Sequence, residues 1–348
     1  MLTHDQVQQQ LSTAGVGEAQ LISRYSDDAL SLPQSHVQVF LPDWHLLTPD
    51  DARQFPKCHF QLDVQLESFM NQLLQLKKEN AADVVIWQLG DLLDEWRALQ
   101  NRGMEVEVDA IVSHYSRIIN MLRFSAPLGV KAKMLAGNHD FVLHQLDGWD
   151  LPRFRVIENM APTGGSVLVI HGDVFDTIER APDGLQKLVV QIAKSHATGV
   201  KDLGPKDAVF VSRVNAAAGK GDDPIVQGDG ELQAENSPDD GDFVAINVVD
   251  GDRDNPRHLT RFFSSARKLA LKLKERRLDI RAMVIGHTHV ARIVRGDRGD
   301  GVPFVLMDCG AWFESCRLPA DSERLKSAQV GVLLGNEMRI YQIGREIS

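Results

Sequence analysis

Cysteine is scarce in this sequence, with three residues among 348, at positions 58, 309 and 316. An odd, small number of cysteines without a repeated spacing argues against a disulfide framework and against a thiolate zinc site, and it favours a reducing compartment. The sequence also lacks an apolar run long enough to span a membrane, and its start, MLTHDQVQQQLSTAG, lacks the features of a secretory signal. These absences predict a cytoplasmic protein whose contact with a membrane, if any, is peripheral.

Positive charge is outweighed by negative charge, because 38 Lys and Arg residues face 48 Asp and Glu residues, for a formal net charge of -10. Proteins that bind a nucleic acid backbone usually present a basic surface, so a duplex-binding role would need a local basic patch here. Nucleic acid is therefore not the expected partner. With 43% hydrophobic and 25% charged residues, the composition is otherwise typical of a globular protein with a sizeable core.

Apolar strands alternate with amphipathic helices along much of the chain. The spacing of apolar residues predicts helices over 61–79 and 106–124. Strands are predicted at 37–41, 83–89, 130–135, 166–170 and 282–285, and again around 304–307, 330–334 and 338–343. This alternation is typical of an α/β layered fold, and the strand-rich end indicates a second sheet.

Two segments fall outside this alternation. Residues 1–35 are polar and mixed, and we predict that they form an N-terminal extension of a main domain that covers 36–348. Residues 177–281 are predicted to form a cap or insertion, because they contain a Gly- and Asp-rich acidic loop at 219–254. This segment closes with a basic amphipathic helix at 257–281, which could lie on a membrane surface or receive an anionic head group. A helix packed on the core with a solvated basic face is the favoured interpretation.

Five short polar clusters each follow directly on a predicted strand. Because ligand sites in α/β sheets lie beyond the carboxyl ends of strands, we expect these clusters to meet. They contribute carboxylate, amide and imidazole groups and no thiolate, a donor set that suits Mn, Fe or Zn. The candidate metal ligands are Asp43, His45, Asp91, Asn138, His171, His287 and His289.

Seven ligands exceed what one tetrahedral ion needs, so we expect two ions that share a carboxylate. Two neighbouring ions can hold the attacking and leaving oxygens of a phosphoryl transfer and lower the pKa of bound water. The pattern therefore predicts a metal-dependent hydrolase of phosphate esters. A hydrolase with a single metal ion is the alternative.

The five clusters read Asp43-Trp44-His45, Gly90-Asp91, Gly137-Asn138-His139-Asp140, His171 and Gly286-His287-Thr288-His289. In this order the series resembles the calcineurin-like metallophosphoesterase superfamily, over residues 43 to 289. The resemblance implies a two-sheet αββα sandwich and two divalent metal ions, with Mn foremost and Fe or Zn as alternatives. It also implies that Asp91 bridges the two ions. The remaining ligands would divide into Asp43, His45 and His289 for one ion, and Asn138, His171 and His287 for the other.

Three further residues take catalytic roles from the resemblance. His139 would not bind metal; it would lie beside the leaving group and donate a proton or a hydrogen bond to the phosphate. Asp94 and Asp140 would orient a ligand imidazole or His139. For both carboxylates, a turn or helix cap is the alternative. The expected reaction is hydrolysis of a phosphomonoester, phosphodiester or pyrophosphate bond by a metal-activated hydroxide.

Departures within the motifs bear on the substrate. Glu95 stands where phosphoprotein phosphatases of the superfamily have a phosphate-binding arginine, which argues against that activity. The spacing from Gly90 to Trp96, Phe141 after the third motif and the Gly310-Ala311-Trp312 segment resemble the UDP-2,3-diacylglucosamine diphosphatase branch, although that branch usually has arginine at the position of His139. The resemblance implies a phosphorylated small-molecule or lipid-linked substrate. A nuclease of the superfamily and a catalytically silent binding module are the alternatives, and the sequence does not predict an oligomeric state.

Overall fold

The computed structural model of the protein describes residues 2–12, 19–30, 36–48, 63–80, 83–93, 104–123, 131–140, 151–158, 165–175, 184–198, 244–246, 256–312 and 328–343. Within these ranges the helices are α1 (His4–Ser12), α2 (Asp63–Asn80), α3 (Met104–His114), α4 (Ser116–Arg123), α5 (Gly184–Thr198) and α6 (Pro256–Glu275). The strands are β1 (Ala19–Ser26), β2 (His36–Leu41), β3 (Asp83–Gln88), β4 (Lys131–Met134), β5 (Phe154–Ile157), β6 (Ser166–Ile170), β7 (Val244–Ile246), β8 (Ile280–Ile285), β9 (Ala291–Asp297), β10 (Pro303–Cys309), β11 (Gln329–Leu334) and β12 (Glu337–Ile343).

The strands form two six-stranded sheets. In the first sheet the order is β1-β12-β11-β2-β3-β4, and β2, β3 and β4 run parallel. In the second sheet the order is β5-β6-β8-β10-β9-β7, and β6, β8 and β10 form the parallel centre. Because the carboxyl ends of parallel strands lie at the same edge, the loops that follow them are neighbours within each sheet.

Buried residues alternate between the two faces of each sheet, as strand geometry requires. In β2, Val39 packs towards the helices and Phe40 packs towards the other sheet. In β6, Leu168 and Val169 divide in the same way. Helices α1 to α4 cover the outer face of the first sheet, α5 and α6 cover that of the second, and the two inner faces pack together. The predicted αββα sandwich is confirmed.

The N-terminal segment contributes to this sandwich. Strand β1 pairs antiparallel with β12 at the edge of the first sheet, from Ala19 opposite Ile343 to Ser26 opposite Glu337. In α1, Val7 is fully buried in the core of the same layer. The interpretation of residues 1–35 as an extension overlooked β1, because its few apolar residues are interspersed with polar ones. The boundary at residue 36 itself stays a prediction.

Helix α6 corresponds to the basic helix of the predicted insertion. It is shorter than predicted, because residues 280–285 form strand β8 instead. One side of α6 is buried against the second sheet, through Phe262, Phe263, Ala266, Leu269, Ala270 and Leu273. Lys268, Lys272 and Lys274 on its other side are exposed. The favoured interpretation, a core-packed helix with a solvated basic face, is therefore confirmed.

The acidic loop at 219–254 lies outside the described residues, except for β7, which adds an edge strand to the second sheet by pairing with β9. Among the helices that the structure describes, none combines the length and the apolar character needed to cross a membrane.

Candidate metal centre

Five loops at the carboxyl ends of parallel strands meet at one end of the sandwich. The loops after β2, β3, β4, β6 and β8 carry Asp43, Asp91, Asn138, His171 and His287. Contacts between loops join the two sheets here, since the His287 N–H donates to a carboxylate oxygen of Asp43 at 2.9 Å. His45 and His289 lie in the first and last of these loops. The structure thus brings together all seven residues that we predicted as metal ligands.

The first cluster of potential ligands consists of Asp43, His45 and His289, whose ligand atoms all lie within 4.8 Å of one another. The Nε2 atom of His289 lies 3.1 Å from both Asp43 Oδ2 and His45 Nε2. Two imidazole nitrogens at this distance need a proton or a cation between them, because both cannot present lone pairs to each other favourably. Asp43 is fully buried and His289 is partly exposed, so the cluster opens to solvent beside His289.

The second cluster consists of Asp91, His171 and His287, with Asn138 beside it. His171 Nε2 lies 3.2 Å from Asp91 Oδ2 and 3.1 Å from Asn138 Oδ1. The other ring nitrogen, Nδ1, lies 3.0 Å from the carbonyl oxygen of Leu89. A histidine that donates from Nδ1 to a carbonyl presents its Nε2 lone pair, which is the usual arrangement of a metal-binding imidazole.

Asp91 lies between the two clusters. Its Oδ2 is 3.2 Å from His171 Nε2 and 3.8 Å from His45 Nε2. With His45 and His139 it also forms a third group of potential ligands. The His139 ring meets the His45 ring edge-on, with 4.7 Å between the centroids. This geometry suits His139 either as a ligand or as a proton donor, so its predicted role beside the metals stays a prediction.

The backbone at these residues is strained. Five non-glycine residues of the described chain have left-handed φ angles, and four of them are His45 (47°), Asp91 (50°), His287 (71°) and His289 (59°). Such conformations cost about 1–3 kcal/mol each and persist only where surrounding contacts fix them. Their concentration at the predicted ligands is typical of a functional site.

Two motif glycines leave room for buried carboxylates. A Cβ atom at Gly286 would overlap Asp43 Oδ1, and a Cβ atom at Gly137 would overlap Asp91 Oδ1. The residue before each of the ligands His287 and Asn138 must therefore lack a side chain. This close approach gives a physical reason for the Gly-Asn and Gly-His pairs in the motifs.

In the site, burial and neighbouring charges shift the pKa values of Asp91 and His171 in opposite directions. Burial alone would raise the pKa of Asp91, but the imidazoles of His171, His139 and His45 lower it well below its usual range. Burial alone would lower the pKa of His171, but the carboxylates of Asp91 and Asp43 raise it to about 10. The negative potential that holds a proton on His171 also attracts a divalent cation, which would compete with that proton.

The sequence profile of the calcineurin-like phosphoesterase family matches residues 39–291, a range that contains all seven predicted ligands. The chain belongs to this family. Comparison with curated proteins gave no match. Family members generally hydrolyse phosphoesters and typically bind two divalent metal ions, and the two clusters described above provide candidate ligands for them.

The residues present fit the metals of the family. Two carboxylates, one amide and four imidazoles form a donor set that suits Mn, Fe or Zn. Asp43 Oδ1 is buried and has no hydrogen-bond partner within the described part of the chain. The Nδ1 atom of His171 lies 3.7 Å from this oxygen. Because a buried carboxylate oxygen without a partner is costly, a bound cation would stabilise it.

Asp140 holds two loops of the site together. Its buried carboxylate accepts hydrogen bonds from the backbone N–H groups of Leu92 (3.2 Å), Leu93 (3.0 Å) and Gly137 (3.1 Å). Burial and the negative charge of Asp91 raise the pKa of Asp140 to about 7. Such bonds to backbone N–H groups agree with the alternative interpretation of Asp140 as a turn or helix cap. Its role in orienting an imidazole stays a prediction. Asp94, Glu95, Trp96 and Phe141 lie outside the described residues.

Two buried ion pairs beside the ligands were not predicted from the sequence. Asp173, two residues after His171, pairs with Arg153. Asp308 pairs with Arg292 and accepts a hydrogen bond from Thr288, which lies between two predicted ligands. Asp308 lies near the carboxyl end of the parallel strand β10, as the ligands follow their strands. The strand-end pattern could therefore have identified Asp308.

Proposed function

We propose that the protein is a two-metal phosphoesterase that hydrolyses a phosphate ester or a pyrophosphate bond. The observation that carries this proposal is the position of Asp91, which belongs to one group of potential ligands with His171 and His287 and to another with His45 and His139. A carboxylate that two clusters share supports two neighbouring ions rather than one. When bound, such ions lower the pKa of a water molecule and stabilise negative charge on phosphoryl oxygens.

The proposed ligands follow the two clusters. Asp43, His45 and His289 would hold one ion, Asn138, His171 and His287 would hold the other, and Asp91 would contact both. His139 is the proposed donor of a proton or a hydrogen bond to the leaving group. Its backbone N–H donates to Asp91 Oδ1 at 2.8 Å, so the bridging carboxylate also fixes the chain that carries the donor.

For the substrate we propose a phosphorylated small molecule, with a lipid-linked nucleotide sugar of the UDP-2,3-diacylglucosamine type as the first candidate. The segment Gly310–Trp312, which contributed to that resemblance, lies against the site. The backbone N–H of Trp312 donates to the backbone carbonyl of Asp43 at 2.9 Å, and Ala311 forms an isolated parallel β-bridge with Asp43. The exposed lysines of α6 would suit peripheral contact with an anionic membrane surface in the cytoplasm. Mn is the first metal to test, before Fe and Zn.

The test combines metal content with hydrolysis of bis(p-nitrophenyl) phosphate and of UDP-2,3-diacylglucosamine, in added Mn, before and after chelation. We expect about two ions per chain and hydrolysis that chelation abolishes. Full activity with one ion per chain would overturn the two-metal proposal. Two ions without hydrolysis of any monoester, diester or pyrophosphate would indicate a binding module. Cleavage of DNA in preference to all small substrates would indicate a nuclease.

A further inference from the structure

The loop Gly286–His289 carries two proposed ligands, one on each side of Thr288. His287 and His289 both have left-handed φ angles, at 71° and 59°. Two such residues separated by one position give the loop a conformation that the chain does not prefer by itself. Contacts around Thr288 must therefore fix the loop.

The side chain of Thr288 is hydrogen-bonded on both sides. Its hydroxyl donates to the carboxylate of Asp308 and accepts the N–H of Val290 at 3.2 Å. Its backbone N–H donates to the carbonyl of Gly286 at 2.8 Å. Thr288 and Asp308 are both buried, so these hydrogen bonds form away from bulk water, where they are stronger.

Asp308 is held in turn by Arg292. The two residues lie directly opposite each other on the antiparallel strands β10 and β9, with 3.3 Å between Asp308 Oδ2 and Arg292 Nη2. Both side chains are fully buried, and each would be costly to bury without an opposite charge nearby. Arg292 and Asp308 lie just beyond residues 39–291, the range that the family profile matches.

We propose that Asp308, backed by Arg292, is a positioning residue that acts through Thr288 to orient His287 and His289 towards the metal ions. This inference rests on the proposed function. The chain just beyond Asp308 also contacts the Asp43 backbone, through Ala311 and Trp312. The end of β10 therefore supports two ligand loops at once, and a change there reaches both clusters.

The test is calorimetric titration of the metal-free protein with Mn. Thr288→Val removes the hydroxyl but keeps the shape, and it leaves the Asp308–Arg292 pair intact. We expect Thr288→Val to bind Mn about 10- to 100-fold more weakly, the usual effect of losing a group that orients metal ligands, and Thr288→Ser to bind nearly as wild type. Asp308→Asn should also weaken binding, and it should have little further effect in the Thr288→Val background.

Asp279→Asn is the matched control. Asp279 pairs with another fully buried arginine, Arg298, at the opposite end of the same sheet. This variant should lower the unfolding temperature without changing Mn affinity. If Thr288→Val behaves in the same way, Thr288 is merely structural and the inference is wrong; additive effects of Thr288→Val and Asp308→Asn would also contradict it. A wild type that binds neither Mn nor Fe nor Zn would instead overturn the proposed function itself.

Discussion

The two ends of strand β8 each have a fully buried arginine beside them, but the surroundings of the two arginines differ. At the amino end, Arg298 forms ion pairs with Asp279 and Asp300, whose carboxylates reach solvent. At the carboxyl end, Arg292 faces Asp308, and both are fully buried. The first end therefore has ordinary ion pairs at the surface, and the second has its charges deep beneath the ligand loops.

The pKa values of Asp308 and Asp279 differ in the same way. Burial raises the pKa of Asp308 to about 7 against the opposing effect of Arg292. Burial alone would also raise the pKa of Asp279, but hydrogen bonds from Arg298 and Arg281 lower it. At the amino end the charges are compensated within the chain. At the carboxyl end, buried carboxylates remain whose negative charge a bound cation would compensate. The left-handed histidines there add backbone strain. Ligand sites commonly retain such costs, which reduce the stability of the metal-free protein.

The largest expected difference between the two ends is between Asp91→Ala and Asp300→Ala. Asp91→Ala removes the proposed bridge, so metal content should fall below two ions per chain and hydrolysis should fall to the level of the chelated protein. Asp300→Ala should keep both properties and lower the free energy of unfolding by about 1 kcal/mol or less, because its ion pairs are near solvent. Metal analysis, hydrolysis rates and denaturant titration measure these effects. Two ions and a near-normal rate in Asp91→Ala would contradict the assignment of the bridge.

The next effect is that of His139→Ala. Loss of a proton donor should reduce turnover by about 10²- to 10⁴-fold, while metal content stays near that of the wild type. The reduction should be smaller for p-nitrophenyl esters than for alkyl esters, because p-nitrophenolate leaves without needing a proton. A large loss of bound metal would show that His139 is a ligand, as the group His45, Asp91 and His139 also permits.

Substitutions at two glycines should distinguish an effect on metal binding from an effect on stability. Gly286→Ala places a Cβ atom against Asp43 Oδ1 at the metal end. The loss in free energy of Mn binding should therefore exceed the loss in free energy of unfolding. Gly301, in the turn at the opposite end, has a φ of 75° and open space around its Cβ position. Gly301→Ala should therefore lose about 1–2 kcal/mol of stability, because of its left-handed backbone, and keep full Mn affinity. Equal effects of the two variants on Mn affinity would remove the distinction between the two ends.

The ligands could be predicted from the sequence because their loops follow buried parallel strands. Such strands appear as short apolar runs, and their ends are easy to locate. Two strands of the second sheet were harder: β5, at its edge, and β9, next to the edge strand β7, were missed, since each mixes arginine with apolar residues. The predicted helix 106–124 divides into α3 and α4 at Tyr115, whose hydroxyl donates to the Leu47 carbonyl at 2.9 Å. Periodicity within a segment cannot reveal a contact of this kind.

The supporting groups of the site escaped prediction for a related reason. Asp308 and Thr288 are twenty positions apart, and only the pairing of β8 with β10 brings them together. Asp140 could be predicted to lie at the site, but its partners are backbone amides of another loop. Motifs thus indicate which side chains carry the chemistry, and tertiary contacts determine which side chains hold them.

Stability should also depend on pH, and this dependence again separates the two ends. In the metal-free protein, the pKa of His171 is raised from 6.5 to about 10 by Asp91 and Asp43, against the effect of burial. A group with a raised pKa stabilises the folded state fully below its unfolded pKa of about 6.5, and this contribution is lost as the pH rises towards about 10. The free energy of unfolding should therefore decrease over this range, with a slope of up to about 1.4 kcal/mol per pH unit for one proton.

Denaturant titrations between pH 6.5 and 9 measure this slope. The matched control, Asp279→Asn, should keep it, because the pKa of Asp279 is lowered from its ordinary 3.8 and its titration ends far below this range. Bound Mn should abolish the decrease, because the ion takes the place of the proton on His171, and Mn affinity should itself rise with pH. A metal-free protein whose stability is constant or increases over this range would show that His171 holds no proton at neutral pH. In that case the negative potential at the carboxyl end would be weaker than the geometry implies, and the contrast with the amino end would rest on backbone strain alone.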